Sequence, residues 1–249
     1  MKVVLFASPW NPLSAEAALF FRKKGMLEAI VIPRGQSTDL KGGVVYFLSM
    51  VCVAFYRCLH WLSRCMGIKR SENYLSLLEF LKSNPEVPVF KVTSCEADFK
   101  EAPCFKDLEE KGEEYIGVSC IFPFKIPVDV LPLQRLINIH PGILPQNRGS
   151  SPYFWALAKE EDLSGISYHV LTSQFDQGPV LLKEVFSINP KMSEYSLEAM
   201  AAKYLKESLP LFFKELEQLW VAPTVQEDGN YHSQPSFQDR RKYHRQSVL

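Results

Sequence analysis

The sequence has no excess of charge of either sign. Lys and Arg together number 28, and so do Asp and Glu, for a formal net charge of zero. This argues against a protein that coats DNA or RNA, which is normally strongly basic. Metal-binding patterns are missing too. The six cysteines, Cys52, Cys58, Cys65, Cys95, Cys104 and Cys120, form no C-x-x-C pair and have no histidine at zinc-finger spacing, so no structural zinc site is expected. A chain of 249 residues can bury a core without disulfides. No internal repeat or low-complexity tract interrupts it. Met1–Ser8 reads as a strand and carries no run long enough for a secretory h-region, so a cytoplasmic protein with reduced thiols is expected. The uncharged stretch Gly43–Tyr56 falls short of the roughly 20 apolar residues of a membrane span. Residues Val44 to Leu62 carry a helical apolar stripe and are read as a buried core helix. A helix lying on a membrane surface is the alternative.

What is present is an alternation of strands and helices. Val3–Ala7, Leu27–Ile32, Val87–Val92, Tyr115–Ser119 and Leu136–Ile139 read as strands. Between them, Ser14–Lys24, Tyr74–Lys82 and Lys106–Lys111 read as helices, with Ser14 as a cap. Such alternation predicts an α/β fold, a Rossmann-like, mostly parallel sheet flanked by helices. Gly165–Thr172 and Pro179–Ile188 predict a β-ribbon, and Ser193–Leu219 a helix interrupted by Pro210. The polar segment after it is rich in turn residues. The organisation expected is a domain over 1–220 and an extension over 221–249.

The chemistry concentrates where an apolar strand runs into a Pro-rich loop, Leu136-Ile137-Asn138-Ile139-His140-Pro141-Gly142-Ile143-Leu144-Pro145-Gln146-Asn147-Arg148-Gly149. Ligands of open α/β sheets bind beyond the carboxyl ends of strands. Asn138 and His140 are two apart and so face the same side of a strand. The amide can hold a developing oxyanion and the imidazole can move a proton near neutral pH. Downstream, Phe175-Asp176-Gln177-Gly178 places a carboxylate in a turn, where it can orient a histidine and raise its pKa. Together they make an acid/base site without a nucleophilic Ser or Cys. His169 is read as a packed, hydrogen-bonded histidine, with a role in the site as the alternative.

These motifs together resemble the family of 10-formyltetrahydrofolate-dependent formyltransferases. That family includes the glycinamide ribonucleotide, methionyl-tRNA and sugar-amine N-formyltransferases. Its pattern is Asn-x-His-Pro-(small)-x-Leu-Pro, then Arg-Gly or similar, then a distant Asp-x-Gly. The matching positions are Asn138, His140, Pro141, Leu144, Pro145, Arg148, Gly149, Asp176 and Gly178. The likeness is good from about Tyr115 to Ile188 and weak but compatible before it.

The resemblance implies the formyltransferase fold, the co-substrate 10-formyltetrahydrofolate and a reaction without a metal. An amine attacks the formyl carbon. Asn138 and His140 hold the tetrahedral oxyanion, and Asp176 aligns His140 and relays the amine proton. It also implies a folate pocket beside the loop Ile121–Pro127, with Phe122, Phe124, Lys125 and Ile126 on one side and Ser173 and Gly178 on the other.

Departures from the family narrow the acceptor. Ala7-Ser8-Pro9-Trp10-Asn11-Pro12-Leu13 has no glycine where glycinamide ribonucleotide enzymes carry a phosphate loop. About 30 residues follow the last long helix, where methionyl-tRNA enzymes carry a tRNA-gripping domain. The expected acceptor is therefore the primary amine of a small molecule, an amino sugar linked to a nucleotide or a lipid. A hydroxyornithine-type siderophore precursor is a further option. No DNA or tRNA partner is expected. The alternatives are a methionyl-tRNA formyltransferase-like enzyme, a formyltetrahydrofolate hydrolase and a non-catalytic protein of this fold. Family members are often homodimers, although no stretch here identifies an interface. The basic tail Asp239–Arg245 is read as a solvated end, with a phosphate contact as the alternative.

Overall fold

The computed structural model describes residues 1–34, 76–111, 114–189 and 191–246. The apolar stretch from Val44 to Leu62 lies outside them.

Seven strands form the central sheet: β1 (Lys2–Ala7), β2 (Leu27–Pro33), β3 (Val89–Val92), β4 (Tyr115–Cys120), β5 (Arg135–His140), β7 (Leu163–Val170) and β8 (Val180–Ser187). Their order is β3-β2-β1-β4-β5-β7-β8. The first five run parallel, whereas β7 is antiparallel to β5 and to β8. The predicted ribbon is thus the antiparallel edge of the main sheet. The chain steps outward from β1 to β3 and returns on the other side at β4. The switch in direction opens a crevice at the carboxyl ends of these strands.

Helices cover the sheet on alternate strand faces. Val4 and Phe6 of β1 join Phe99 of α3 (Glu96–Glu101) and Phe105 of α4 (Pro103–Lys111) in one buried cluster. On the other side α1 (Pro12–Lys23) packs on α6 (Glu194–Val221), with the rings of Phe21 and Phe213 5.0 Å apart. Tyr168 of β7 stacks on Phe212 of α6 at 4.4 Å. A shorter helix, α2 (Leu77–Ser83), starts at a capping box made by Ser76 and Glu79.

Two local expectations change. Asn11, not Ser14, caps α1, its side chain accepting from the Leu13 N–H. Ser14 lies inside the helix, fully buried, and donates to the Cys120 carbonyl at 2.8 Å. Its hydroxyl thereby pins α1 to the end of β4. The helix around Pro210 is also unbroken, running 28 residues from Glu194 to Val221. Proline removes one backbone donor. Burial of Leu205, Leu209, Phe212 and Leu216 along one side holds the two halves in line.

The segment after α6 folds back on the molecule. Thr224 bridges Val180 at the start of β8, and β9 (Tyr231–His232) pairs in parallel with β6 (Arg148–Gly149). Helix α7 (Phe237–Gln246) follows. Its Arg240 is ion-paired with Glu194 at 2.9 Å and lies over the Phe154 ring of α5 (Pro152–Ala158). The basic tail is therefore docked rather than a free solvated end.

Candidate active site

Strand β5 fixes the first two groups. Along it Ile137 and Ile139 are buried in the core, and Asn138 and His140 share the opposite face. Across the ladder Asn138 stands directly opposite His169 of β7. Opposed residues of antiparallel strands project to the same side. The Asn138 Nδ2 accordingly lies 3.0 Å from His169 Nε2. His169 Nδ1 lies 2.8 Å from the Val170 carbonyl, which can only accept, so the hydrogen sits on Nδ1 and Nε2 accepts from Asn138.

The turn between β7 and β8 brings the third group over this face. Asp176 Oδ1 accepts from Asn138 Nδ2 at 3.3 Å and lies 3.4 Å from His140 Nδ1 and 3.6 Å from His169 Nε2. Its Oδ2 accepts from the Gly149 N–H at 2.8 Å. Asp176 sits at φ 53°, in the left-handed region that non-glycine residues rarely occupy. His140 Nε2 points at the Asn147 carbonyl, 2.6 Å away, and so carries a hydrogen, leaving Nδ1 toward Asp176.

Charge in this cluster follows from burial and neighbours. Burial pushes the His140 pKa down, and the Asp176 carboxylate and the Asn147 carbonyl only partly oppose it. The resting imidazole is therefore neutral near pH 7, with its Nδ1 lone pair available. For Asp176, burial would raise the pKa. Attraction to a protonated His140, contact with the His169 ring and the Gly149 N–H outweigh it and hold the carboxyl well below the usual carboxylate range.

These groups line a cavity of about 380 Å³. The loop after β4 lines the same cavity, with Phe122, Phe124, Lys125 and Ile126. Phe122 is held by Phe6, Phe99 and Phe124, with ring centroids 5.7, 6.3 and 5.7 Å away. An apolar, aromatic-lined slot beside a few convergent polar groups fits a flat heteroaromatic ring. Ser173 lines the same cavity. Gly178, grouped with these residues in the sequence, is not on the wall. A Cβ there would lie 1.7 Å from the Val170 carbonyl oxygen, so packing of the turn fixes its identity.

Some neighbours of the site had little or no sequence signature. His169, for which a role in the site was the alternative reading of the sequence, belongs to the polar cluster. Tyr231 and Gln234 line the cavity from the segment after α6. They fall in a polar stretch without periodicity. Among the described residues, no group of three or more His, Cys, Asp or Glu side chains is placed to hold a metal ion. No described helix is long and apolar enough to cross a membrane.

Comparison with known proteins places this geometry. Residues 93–212 match the family described as formyl transferase. The methionyl-tRNA formyltransferase of Deinococcus radiodurans is 30% identical over 118 residues, covering 47% of this chain and 37% of the relative. That of Myxococcus xanthus is 32% identical over 156 residues, covering 57% and 48%. The chain thus matches less than half the length of these curated relatives. Among solved structures, the sugar 3N-formyl transferase WlaRD, in the presence of dTDP and 5-N-formyl-THF, superposes with a TM-score of 0.60. The identity is 18%, over 94% of this chain and 70% of that one. The N-formyltransferase from Helicobacter canadensis, in complex with folinic acid and dTDP-3-aminofucose, gives 0.59 at 18% identity, over 96% and 72%. At these identities the structural likeness is one of fold. Residues 93–212, just under half of the chain, thus match the formyl transferase family, and the sheet shares the fold of these N-formyltransferase structures.

Proposed function

We propose that the protein moves a formyl group from 10-formyltetrahydrofolate to the primary amine of a small molecule, an amino sugar. The observation that carries this reading is the convergence of Asn138 and His140 on the Asp176 carboxylate, at 3.3 and 3.4 Å, in a cavity that an aromatic loop also lines.

Bound against Phe122, Phe124 and Ile126, the folate would supply the formyl carbon and leave as tetrahydrofolate. The rest falls to the chain's own groups. Asn138 Nδ2 is a neutral donor lining the cavity, and the hydrogen it gives at rest to Asp176 at 3.3 Å would turn to the formyl oxygen to stabilise the negative charge that develops there. His140, neutral at rest, can take the proton released by the attacking amine at Nδ1, because its Nε2–H is committed to Asn147. Asp176, ionised and 3.4 Å away, stabilises the imidazolium so formed. The proton can then pass to the departing folate nitrogen, so that one amine C–N bond forms as the folate C–N bond breaks.

The choice of acceptor rests on Ser150, Ser151, Tyr231 and Gln234, which also line the cavity. Hydroxyls, an amide and an aromatic ring suit a neutral, hydroxyl-rich amine. The sugar-acting structural relatives support the same choice. The sequence relatives favour a second acceptor, methionyl-tRNA. The test is tetrahydrofolate formation by purified protein with amino-sugar nucleotides, amino acids or charged initiator tRNA, repeated with His140→Ala and Asp176→Ala. Turnover that requires an amino sugar and vanishes in both variants supports the proposal. A requirement for tRNA selects the second acceptor. Turnover without any amine indicates a hydrolase and overturns it.

A further inference from the structure

We propose that Gln226, in the segment after α6, is a positioning residue that locks the turn bearing Asp176 onto the loop bearing Gly149. It touches no reacting group. Its Nε2 donates to the backbone carbonyls of Asp176 at 2.9 Å and Gly178 at 2.6 Å. Its Oε1 accepts from Arg148 Nε at 3.0 Å, and Arg148 Nη2 donates onward to the Glu227 carbonyl at 2.8 Å. The Arg148 contact fixes which way the amide faces, since a guanidinium can only donate. The two amide hydrogens must then meet the two carbonyls.

This arrangement answers a need of the turn. Asp176 has a left-handed backbone, a conformation that persists only where its surroundings over-determine it. Gln226 holds the backbone of Asp176 itself and of Gly178, two residues on. Arg148, at the other end of the bridge, directly precedes Gly149, whose N–H holds the Asp176 carboxylate. One side chain thus ties both supports of the carboxylate together. Thr224, two residues earlier, anchors the segment by a reciprocal pair of 2.8 Å backbone hydrogen bonds with Val180. The titratable side chains in contact with Asp176 are His140 and His169, and Arg148 lies beyond Gln226.

The catalytic consequence rests on the formyl-transfer reading, but the positioning can be measured without it. The His140 ring is titrated by NMR in the wild type, Gln226→Met, Asp176→Asn and the double variant. Loosening the carboxylate should lower the His140 midpoint by about 0.3–1 pH unit in Gln226→Met. Adding Gln226→Met to Asp176→Asn should change nothing further, as expected for residues acting through one another. In turnover, Gln226→Met should lower kcat about 5- to 50-fold, with the KM for 10-formyltetrahydrofolate within about twofold. Gln226→Glu keeps the Arg148 contact while opposing the two carbonyls. It should reproduce the loss of kcat and carries the test if the Met variant unfolds. Val225→Ala, at a side chain 77% exposed, should leave both readouts unchanged. An unmoved His140 midpoint in Gln226→Met, or an equal drop in the Asp176→Asn background, overturns the proposal. Absence of turnover in the wild type, with the expected titration pattern, overturns the formyl-transfer reading and leaves the positioning role standing.

Discussion

The carboxylate of Asp176 accepts the backbone N–H of Gly149 at 2.8 Å, joining a turn and a loop that lie on opposite sides of β7 in the sequence. One oxygen is thereby fixed by the main chain. The other is left for Asn138 and His140. A main-chain donor cannot be removed by a side-chain substitution at Gly149, but it can be displaced.

Displacement is the expected result of Gly149→Ala. Gly149 has φ 96°, and a Cβ there would lie 2.1 Å from the His232 carbonyl oxygen. The β6–β9 pairing would have to part. The variant should lose about 2–4 kcal/mol of stability in urea denaturation. If it folds, it should lose most of its formyl transfer. Wild-type stability in Gly149→Ala would contradict the packing described here.

The pH dependence follows from His140. Its folded pKa is lowered by burial, so the base form persists below the ordinary imidazole value of 6.5. The acid limb of kcat/KM should therefore have a midpoint below 6.5. A limb centred above 7 would show that the imidazolium is favoured, contrary to the environment of the ring.

Asn138→Ala removes the amide that donates to both His169 and Asp176. Loss of one such donor should cost about 10²–10³ in kcat. Binding of a folate analogue, followed by calorimetry, should change little, because the aromatic loop is untouched. A tenfold or smaller loss of kcat would count against Asn138 as an oxyanion donor.

Most of this site is legible in the sequence because its core chemistry is local. Asn138 and His140 share one strand, and the two-residue spacing alone puts them on one face. The Asp176 turn lies far along the chain and had to be matched by motif. The segment from Thr224 to Gln234 gives no such sign. Its contacts are backbone pairings and single hydrogen bonds, which need no apolar periodicity and so leave none. The cap of α1 was misplaced for a related reason. Ser14 has cap chemistry, but its partner is Cys120, more than 100 residues away. The unbroken helix at Pro210 shows tertiary burial overriding a local breaker.

Glu198 on α6 supplies a prediction separate from catalysis. Burial, reinforced by Glu194, pushes its carboxyl up to about 7. A raised carboxyl pKa means that the folded state binds more protons than the unfolded state between about pH 4.5 and 7. Its contribution is therefore full at low pH and is lost as pH rises through that window. Glu198→Gln should be more stable than wild type at pH 8, by about 1–3 kcal/mol, and near equal at pH 5. Thermal melts at the two pH values decide it. A difference of the same size at both would assign the effect to packing.

The pairing of β6 with β9 also bears on the order in which the protein matures. Domains take shape as the chain leaves the ribosome, amino end first. All strands of the main sheet are synthesised by Ser187, and Asn138, His140 and Asp176 with them. Gln226 and the His232 carbonyl that seats Gly149 emerge later. A nascent chain stalled after α6 would thus hold its chemical groups in an unbraced loop, and competence would arrive with the segment after α6 rather than with the sheet.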